Sequence, residues 1–260
     1  EAAVAGGIPV IKAIREGLAA NRINWLAGII NGTGNFILSE MREKGRTFDD
    51  VLAEAQALGY AEADPTFDVE GIDAAHKLTI LASIAFGIPL QFDKAYTEGI
   101  TKLTTADVNY AEALGYRIKH LGVARRTDAG IELRVHPTLI PADRLIANVN
   151  GVMNAVMVNG DAAGSTLFYG AGAGMEPTAS SVIADLVDVV RALTADPTNR
   201  VPHLAFQPDS LSDHPILPIE ACESAYYLRI QAKDHPGVLA QVASILSARA
   251  VSYTHLRAHE

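Results

Sequence analysis

The chain has 260 residues, of which 49% are apolar and 20% charged, and its formal net charge at pH 7 is −9. This length suits one large domain or a domain with a smaller appendage, and the composition is that of a globular protein. The negative charge argues against nucleic acid and anionic membrane surfaces as partners, and the most apolar stretch, residues 78–90, is too short to span a membrane. The single cysteine, Cys222, favours a reducing compartment such as the cytoplasm.

The first part of the chain predicts helices around one buried strand. Pro9 suits the first turn of a short helix, and the apolar residues 24–30 predict the strand. This strand ends in the turn Asn31-Gly32-Thr33-Gly34, whose glycines allow a ligand to approach the backbone closely. Helical periodicity and glycine stop signals predict further helices at residues 35–44, 51–58, 71–86 and 106–114. Residues 60–71 form an acidic loop.

The second part of the chain changes to strands. Apolar runs predict strands at residues 117–124, 131–135, 152–158 and 165–169, with Asn159-Gly160 as a hairpin turn between the last two. A glycine-rich run at residues 170–174 precedes a helix with one apolar stripe that begins after Pro177 and ends near residue 193. Residues 196–223 are rich in proline and polar residues, as in a linker. A strand at 225–232 and a helix from Val238 complete the pattern.

The predicted fold class is therefore α/β (α+β): a mixed sheet flanked by helices, followed by a small β-α unit. The residues that suggest chemistry lie in the acidic loop and the helix after it. Asp73 and Lys77 are four residues apart and share one helical face, so both can point into one site. An exposed ion pair of this spacing, worth about 0.3–0.5 kcal/mol, is the alternative interpretation.

Residues 55–77, AQALGYAEADPTFDVEGIDAAHK, resemble the signature of the homoserine dehydrogenase family. The matching positions are Ala55, Gly59-Tyr60-Ala61, Asp64-Pro65, Asp68-Val69, Gly71, Asp73 and Lys77. The resemblance extends to the GIINGT run before them, and after them to the 170–174 run and the Pro177-Thr178-Ala179-Ser180 segment. It covers about residues 1–193.

The resemblance implies roles for particular residues. Lys77 matches the lysine that donates and accepts the proton at the substrate oxygen. Glu62 and Asp73 match acidic residues that bind the amino group of homoserine, and Asp68 is a third. Gly174 matches a glycine close to the cofactor, NADP or NAD. A glycine-rich run alone is more often a sign of tight packing.

A cation site is also implied. Residues 1–8, EAAVAGGI, resemble the segment whose backbone carbonyls hold a monovalent cation, usually Na⁺, and the contributors would be Glu1, Val4, Gly6 and Ile8. Carbonyl oxygens suit a hard cation. The family further implies a homodimer.

The resemblance also implies a domain organisation. Residues 1–193 match the catalytic and dimerisation domain, 194–224 a linker, and 225–250 a truncated ACT regulatory domain, whose Asp234-His235-Pro236-Gly237 loop suits an amino-acid effector. Residues 251–260, VSYTHLRAHE, resemble the translation of a sequencing adapter. The N-terminal dinucleotide-binding domain is expected to precede the chain.

The implied reaction is hydride transfer between NAD(P)H and L-aspartate 4-semialdehyde, giving L-homoserine, as in threonine, methionine and isoleucine biosynthesis. Without its dinucleotide-binding domain the isolated chain should be inactive or nearly so. Two alternatives stay open. One is a bifunctional aspartokinase–homoserine dehydrogenase, although its regulatory domains usually precede the dehydrogenase part. The other is a non-catalytic amino-acid-binding regulatory module.

Overall fold

The computed structural model describes residues 1–196, 200–233 and 235–253. The chain divides into two compact units, Glu1–Glu223 and Ser224–Glu260. Within the described ranges, no helix is both long enough and apolar enough to cross a membrane.

One mixed sheet organises the first unit. Its strands are β1 (Ile23–Ile29), β2 (Tyr96–Thr97), β3 (Tyr116–Arg126), β4 (Ile131–Pro141), β5 (Met153–Gly160) and β6 (Gly164–Ala171), in the spatial order β2-β4-β3-β1-β5-β6. The helices of this unit are α1 (Val10–Lys12), α2 (Gly32–Lys44), α3 (Phe48–Ala57), α4 (Thr66–Val69), α5 (Ile72–Phe86), α6 (Thr105–Ala113) and α7 (Met175–Leu193). Neighbouring strands are antiparallel except for β2 and β4, which are parallel. The predicted mixed sheet flanked by helices is confirmed.

The largest apolar cluster joins helix α5 to the middle of the sheet. Leu78 and Leu81 of α5 are fully buried and pack in one cluster with Leu26 of β1, Val135 of β4 and Val156 of β5. Each such side chain contributes about 1.5–3 kcal/mol relative to an exposed one. Because of this packing, the opposite face of α5 points away from the sheet core, and the polar residues of the helix lie on that face.

A second cluster holds the helices around the start of α2. Phe36, Ile37 and Met41 of α2 pack against Val51 of α3 and Val108 of α6. The structure extends α2 three residues earlier than the predicted helix at 35–44, because Asn31 caps it: its side chain accepts a hydrogen bond from the Gly34 amide.

Helix α5 is bounded by glycines, as the sequence predicts. Gly71 precedes it with φ +80°, and Gly87 follows it with φ +66°, conformations that favour glycine. A Cβ on Gly71 would lie 2.9 Å from Cε1 of His120, so the backbone there approaches β3 closely. The start of α5, and with it Asp73, is therefore held firmly against the sheet.

Several predicted details need correction. The hairpin turn is not at Asn159-Gly160, since Asn159 pairs with Ser165 and Gly160 with Gly164, so the strands continue and the turn follows them. The acidic loop contains the short helix α4. Strand β2 was not predicted, because two residues are too few to show a period.

The predicted strand at 225–232 is wrong for the described residues. No strand is found in that segment, whereas helix α8 (Val238–Ala248) forms where the sequence predicts it. A strand needs a neighbour to complete its backbone hydrogen bonds, but a helix completes them internally. Asp234 and residues 254–260 lie outside the described residues, so the first position of the Asp234–Gly237 loop and most of the adapter-like segment are not described.

Residues 200–223 belong to the first unit and pack against the rest of it. The Ile131 amide donates to the carbonyl of Pro215, and Leu217 donates to the carbonyl of Ile131. The Phe206 ring lies 3.0 Å from the position of a Cβ on Gly87. The domain boundaries at 193, 224 and 250 stay predictions.

Candidate active site

Helix α5 brings Asp73 and Lys77 together beside the end of strand β1. The Nζ atom of Lys77 lies 2.6 Å from Oδ2 of Asp73 and 3.0 Å from the carbonyl oxygen of Ile30, the residue after β1. The two side chains are only 22% and 19% exposed. A solvated surface pair would lack this third partner and this degree of burial, so the exposed-pair alternative does not describe the structure.

Asn31 connects this pair to Asp68 of α4. Its Nδ2 atom lies 2.7 Å from Oδ1 of Asp68 and 2.9 Å from Oδ2 of Asp73, while its Oδ1 accepts from the amide of Gly34 at 2.7 Å. The sequence pointed only to the turn that Asn31 begins. An asparagine before a Gly-Thr-Gly helix start is a recognisable N-cap, but nothing in the spacing shows its contacts with acids 37 and 42 residues away.

The hydrogen-bond pattern leaves particular atoms available to a ligand. A lysine ammonium carries three donors, and Lys77 directs two of them to Ile30 and Asp73. Both bonds to the Asp73 carboxylate end on Oδ2, and no hydrogen bond from the described residues reaches Oδ1. The site therefore offers one N–H donor beside one carboxylate oxygen.

Burial raises the pKa of the Asp68 carboxyl above its usual value. The hydrogen bond from Asn31 acts in the opposite direction, the negative charge of Asp73 raises this pKa further, and the positive charge of Lys77 lowers it. Asp68 is thus a carboxylate whose ionisation depends on its neighbours.

Glu62 lies outside the bonded cluster. It is exposed in the turn after α3, and among the described residues its carboxylate has no hydrogen-bond or ion-pair partner. The loop around it is nevertheless tied to α2, because Thr33 Oγ1 donates to the carbonyl of Tyr60 at 2.6 Å. The structure thus brings Asp68, Asp73 and Lys77 together and leaves Glu62 in a neighbouring loop.

The glycine-rich loop at residues 170–174 is tightly packed at one end and open at the other. A Cβ on Gly172 would lie 2.1 Å from the side chain of Asn154, and a Cβ on Gly6 would lie 2.2 Å from the Gly172 carbonyl oxygen. Gly174 is different. It precedes α7 with φ +125°, and a Cβ there would meet only Pro177, at 3.3 Å. The packing interpretation holds for Gly172, whereas Gly174 leaves room.

Asn154 lies between this loop and the turn after β1. It is 1% exposed on β5, and its Oδ1 has no hydrogen-bond partner among the described residues. The same oxygen lies 3.8 Å from the position of a Cβ on Gly32, the residue after Asn31. This orphaned oxygen is an acceptor and suits a ligand group that donates a hydrogen bond, whereas the uncapped N–H groups at the start of α7 suit an anionic group.

The N-terminal segment packs on the glycine-rich loop. Gly7 donates to the carbonyl of Ala171 at 3.0 Å, and the Gly6 carbonyl accepts from Ser181 Oγ at 2.8 Å. The carbonyls of Glu1 and Ile8 each accept a backbone hydrogen bond, from Val4 and Val10. Each of these three oxygens keeps a second lone pair. Carbonyl oxygens are ligands that a hard cation accepts, and no cluster of metal-binding side chains occurs in the described part of the chain.

The model of one known family matches most of the first unit. The homoserine dehydrogenase family model covers residues 9–187. The chain belongs to the homoserine dehydrogenase family. Asp68, Asp73, Lys77 and Gly174 all lie inside the matched region, while residues 1–8 precede it.

Individual homoserine dehydrogenases agree with the family model. The chain is 92% identical over 252 residues to the homoserine dehydrogenase of Pseudomonas aeruginosa, covering 97% of this chain and 58% of the relative. The crystal structure of a homoserine dehydrogenase from Thiobacillus denitrificans matches with a TM-score of 0.92 and 75% identity, over 95% of this chain and 57% of that one. A hyperthermophilic archaeal homoserine dehydrogenase in complex with NADPH matches with a TM-score of 0.62 and 28% identity, over 73% of this chain and 54% of that one. The chain thus spans little more than half the length of these relatives.

Proposed function

We propose that this chain supplies the substrate-binding and proton-transfer part of an NAD(P)-dependent homoserine dehydrogenase, which interconverts L-homoserine and L-aspartate 4-semialdehyde. The observation that carries the proposal is the arrangement around Lys77. Its ammonium is fixed by two acceptors, and an open carboxylate oxygen of Asp73 lies next to it. A substrate with an ammonium group at one end and a carbonyl oxygen at the other matches such a donor–acceptor pair.

The proposed role of Lys77 is proton transfer at the substrate oxygen. In the reducing direction, the third N–H of Lys77 binds the aldehyde oxygen and donates a proton as the alkoxide forms. Glu62 and Asp73 bind the substrate ammonium, with Asp68 as a third carboxylate. The bond to Ile30 keeps the Lys77 side chain in one rotamer, so little side-chain order has to be gained in the reaction.

A bound nicotinamide dinucleotide supplies the hydride that the aldehyde carbon accepts. The residues that would hold it in this chain are Gly174 and the start of α7, and the buried amide of Asn154 faces the same region. The NADPH-bound archaeal relative supports a dinucleotide as cofactor. The residues that distinguish NADP from NAD are expected outside this chain.

An upstream dinucleotide-binding domain would cover the exposed face of α7. Its apolar side chains are open to solvent, with Ile183, Leu186 and Val190 between 55% and 64% exposed. Contiguous apolar surface of this kind usually belongs to an interface. We assign it to the residues that precede the matched region in the longer relatives, and we keep residues 225–250 as the start of an ACT domain for an amino-acid effector.

The remaining proposals follow the family. Na⁺ bound by the carbonyls of Glu1, Val4, Gly6 and Ile8 would stiffen the segment that packs on the glycine-rich loop. We also propose that the protein forms a homodimer and is located in the cytoplasm.

The test compares the chain alone with a joined protein, in which the chain follows the residues that precede the matched region in the Pseudomonas aeruginosa relative. We expect NADPH-dependent reduction of aspartate semialdehyde by the joined protein and none by the chain alone. Activity of the chain alone, or none in a folded joined protein, would contradict the proposal. Homoserine binding without turnover would favour the regulatory module instead.

A further inference from the structure

Asn31 is the point where three parts of the candidate site meet. It follows β1, it caps α2, and its amide nitrogen contacts one carboxylate from α4 and one from α5. Only 7% of the residue is exposed. Hydrogen bonds of this length with charged acceptors are stronger than those between neutral groups.

The orientation of this amide is fixed by the charges around it. Both Nδ2 hydrogens are directed to carboxylate oxygens, of Asp68 and Asp73, and Oδ1 accepts from Gly34. The reverse orientation would place Oδ1 against two carboxylates and the NH₂ group against an N–H donor. The side chain therefore has one arrangement that satisfies every neighbour, and this arrangement fixes the distance between the two acids.

We propose that Asn31 is a positioning residue of the ammonium site, holding the carboxylates of Asp68 and Asp73 together at the start of α2 so that both receive the substrate ammonium. This inference rests on the proposed function. Two carboxylates that share one nitrogen repel each other, and the two donors of Asn31 offset that repulsion before substrate arrives. One oxygen of Asp73 then remains for the substrate, because Asn31 and Lys77 both bind the other one.

Two substitutions separate this role from helix capping. Serine and aspartate are about as good as asparagine at an N-cap, so Asn31→Ser and Asn31→Asp keep the cap of α2. Both remove the amide N–H donors to the carboxylates, and Asn31→Asp also adds a third negative charge. If Asn31 only capped the helix, both variants would behave like the parent.

In the joined protein we expect the KM for homoserine to rise roughly tenfold to a hundredfold in Asn31→Ser, and more in Asn31→Asp, with a smaller change in kcat. The acid limb of kcat/KM should move to higher pH. Burial and the charge of Asp73 raise the pKa of Asp68, whereas the hydrogen bonds from Asn31 and Thr33 and the charge of Lys77 lower it. Loss of the bond from Asn31 therefore raises this pKa. NMR titration of the Asp68 carboxyl carbon without substrate should show the same shift.

Asn24→Asp is the matched control. Asn24 is a half-buried asparagine of β1 whose Nδ2 donates to Asn159 Oδ1 at 3.0 Å, so the change removes a donor and adds a charge away from the cluster. It should leave the KM and the titration of Asp68 as in the parent.

Parental KM values and an unshifted Asp68 titration in both Asn31 variants would overturn the proposal. So would unfolding of both variants, because the retained caps predict folded proteins. An inactive parent would instead count against the proposed function. In that case the Asp68 titration in Asn31→Ser still decides whether Asn31 positions the carboxylates.

Discussion

Lys119 is a buried lysine that the proposed chemistry does not use. It lies on β3 with 1% exposure, and its Nζ contacts Asn35 Oδ1 at 3.0 Å, Asn150 Oδ1 at 3.2 Å and the carbonyl of Val149. Burial, together with the positive charges of Arg42 and Arg117, lowers the pKa of Lys119 from 10.5 to about 7. It holds the loop before β5 against α2.

This pKa predicts how stability depends on pH. Between pH 7 and pH 10.5 the unfolded chain keeps the Lys119 proton and the folded chain has lost it, so unfolding takes up a proton and the free energy of unfolding rises with pH. The free energy of unfolding of the parent minus that of Lys119→Met should therefore rise as pH increases through that window. Denaturant titrations at several pH values measure it.

Lys102→Met is the control for that prediction, because Lys102 is exposed. Its difference from the parent should not change across the window. A flat difference for Lys119→Met would show that Lys119 stays protonated in the folded chain.

The elements that the sequence predicted best are those whose formation depends on residues close together in the chain. Helix α5 has an apolar period and a glycine at each end, and both glycines adopt the positive φ that ends a helical pattern. The role of Asn31 could not be predicted, since its partners come from α4 and α5 and meet it only after the chain folds. The resemblance found Asp68, Asp73 and Lys77, whereas spacing alone suggested only the pair on α5.

The predicted strand at residues 225–232 was wrong because strand formation depends on residues far apart in the chain. The segment has the composition of a strand, but strand formation depends on a partner elsewhere in the chain. Composition cannot show whether that partner is present. Helix α8 needs no partner strand, which is why it forms as predicted.

At the scale of elements, the prediction concerns the exposed apolar face of helix α7. Leu186→Lys should change the free energy of unfolding of the chain alone by less than about 0.5 kcal/mol, because this side chain is 55% exposed. In the joined protein it should lower activity, because a charge would enter the proposed interface with the upstream domain. Chemical denaturation and initial rates measure the two effects.

Leu90→Lys controls for the added charge at a leucine of similar exposure, 56%. It should leave the activity of the joined protein unchanged. Equal effects of the two substitutions would show that α7 is not an interface in the active protein.

At the scale of the whole molecule, the proposed function requires the described chain to supply one half of a two-part site. The first unit holds Lys77, Asp68, Asp73 and the loop before α7, and these are the residues to which the proposal gives proton transfer and ammonium binding. We assign the upstream domain to the exposed face of α7 and the cofactor to the region of the orphaned Oδ1 of Asn154. The same arrangement explains why a well-packed unit should have no activity alone.

The central claim is that Lys77 transfers the proton at the substrate oxygen, and the kinetics of Lys77→Ala in the joined protein test it most directly. We expect kcat to fall about 100-fold or more while the KM for homoserine changes little. Lys44→Ala, which removes the other i,i+4 lysine–glutamate or lysine–aspartate pair found in the described helices, should keep the parental kcat. An unchanged kcat in Lys77→Ala would remove Lys77 from the chemistry and the proposed mechanism with it.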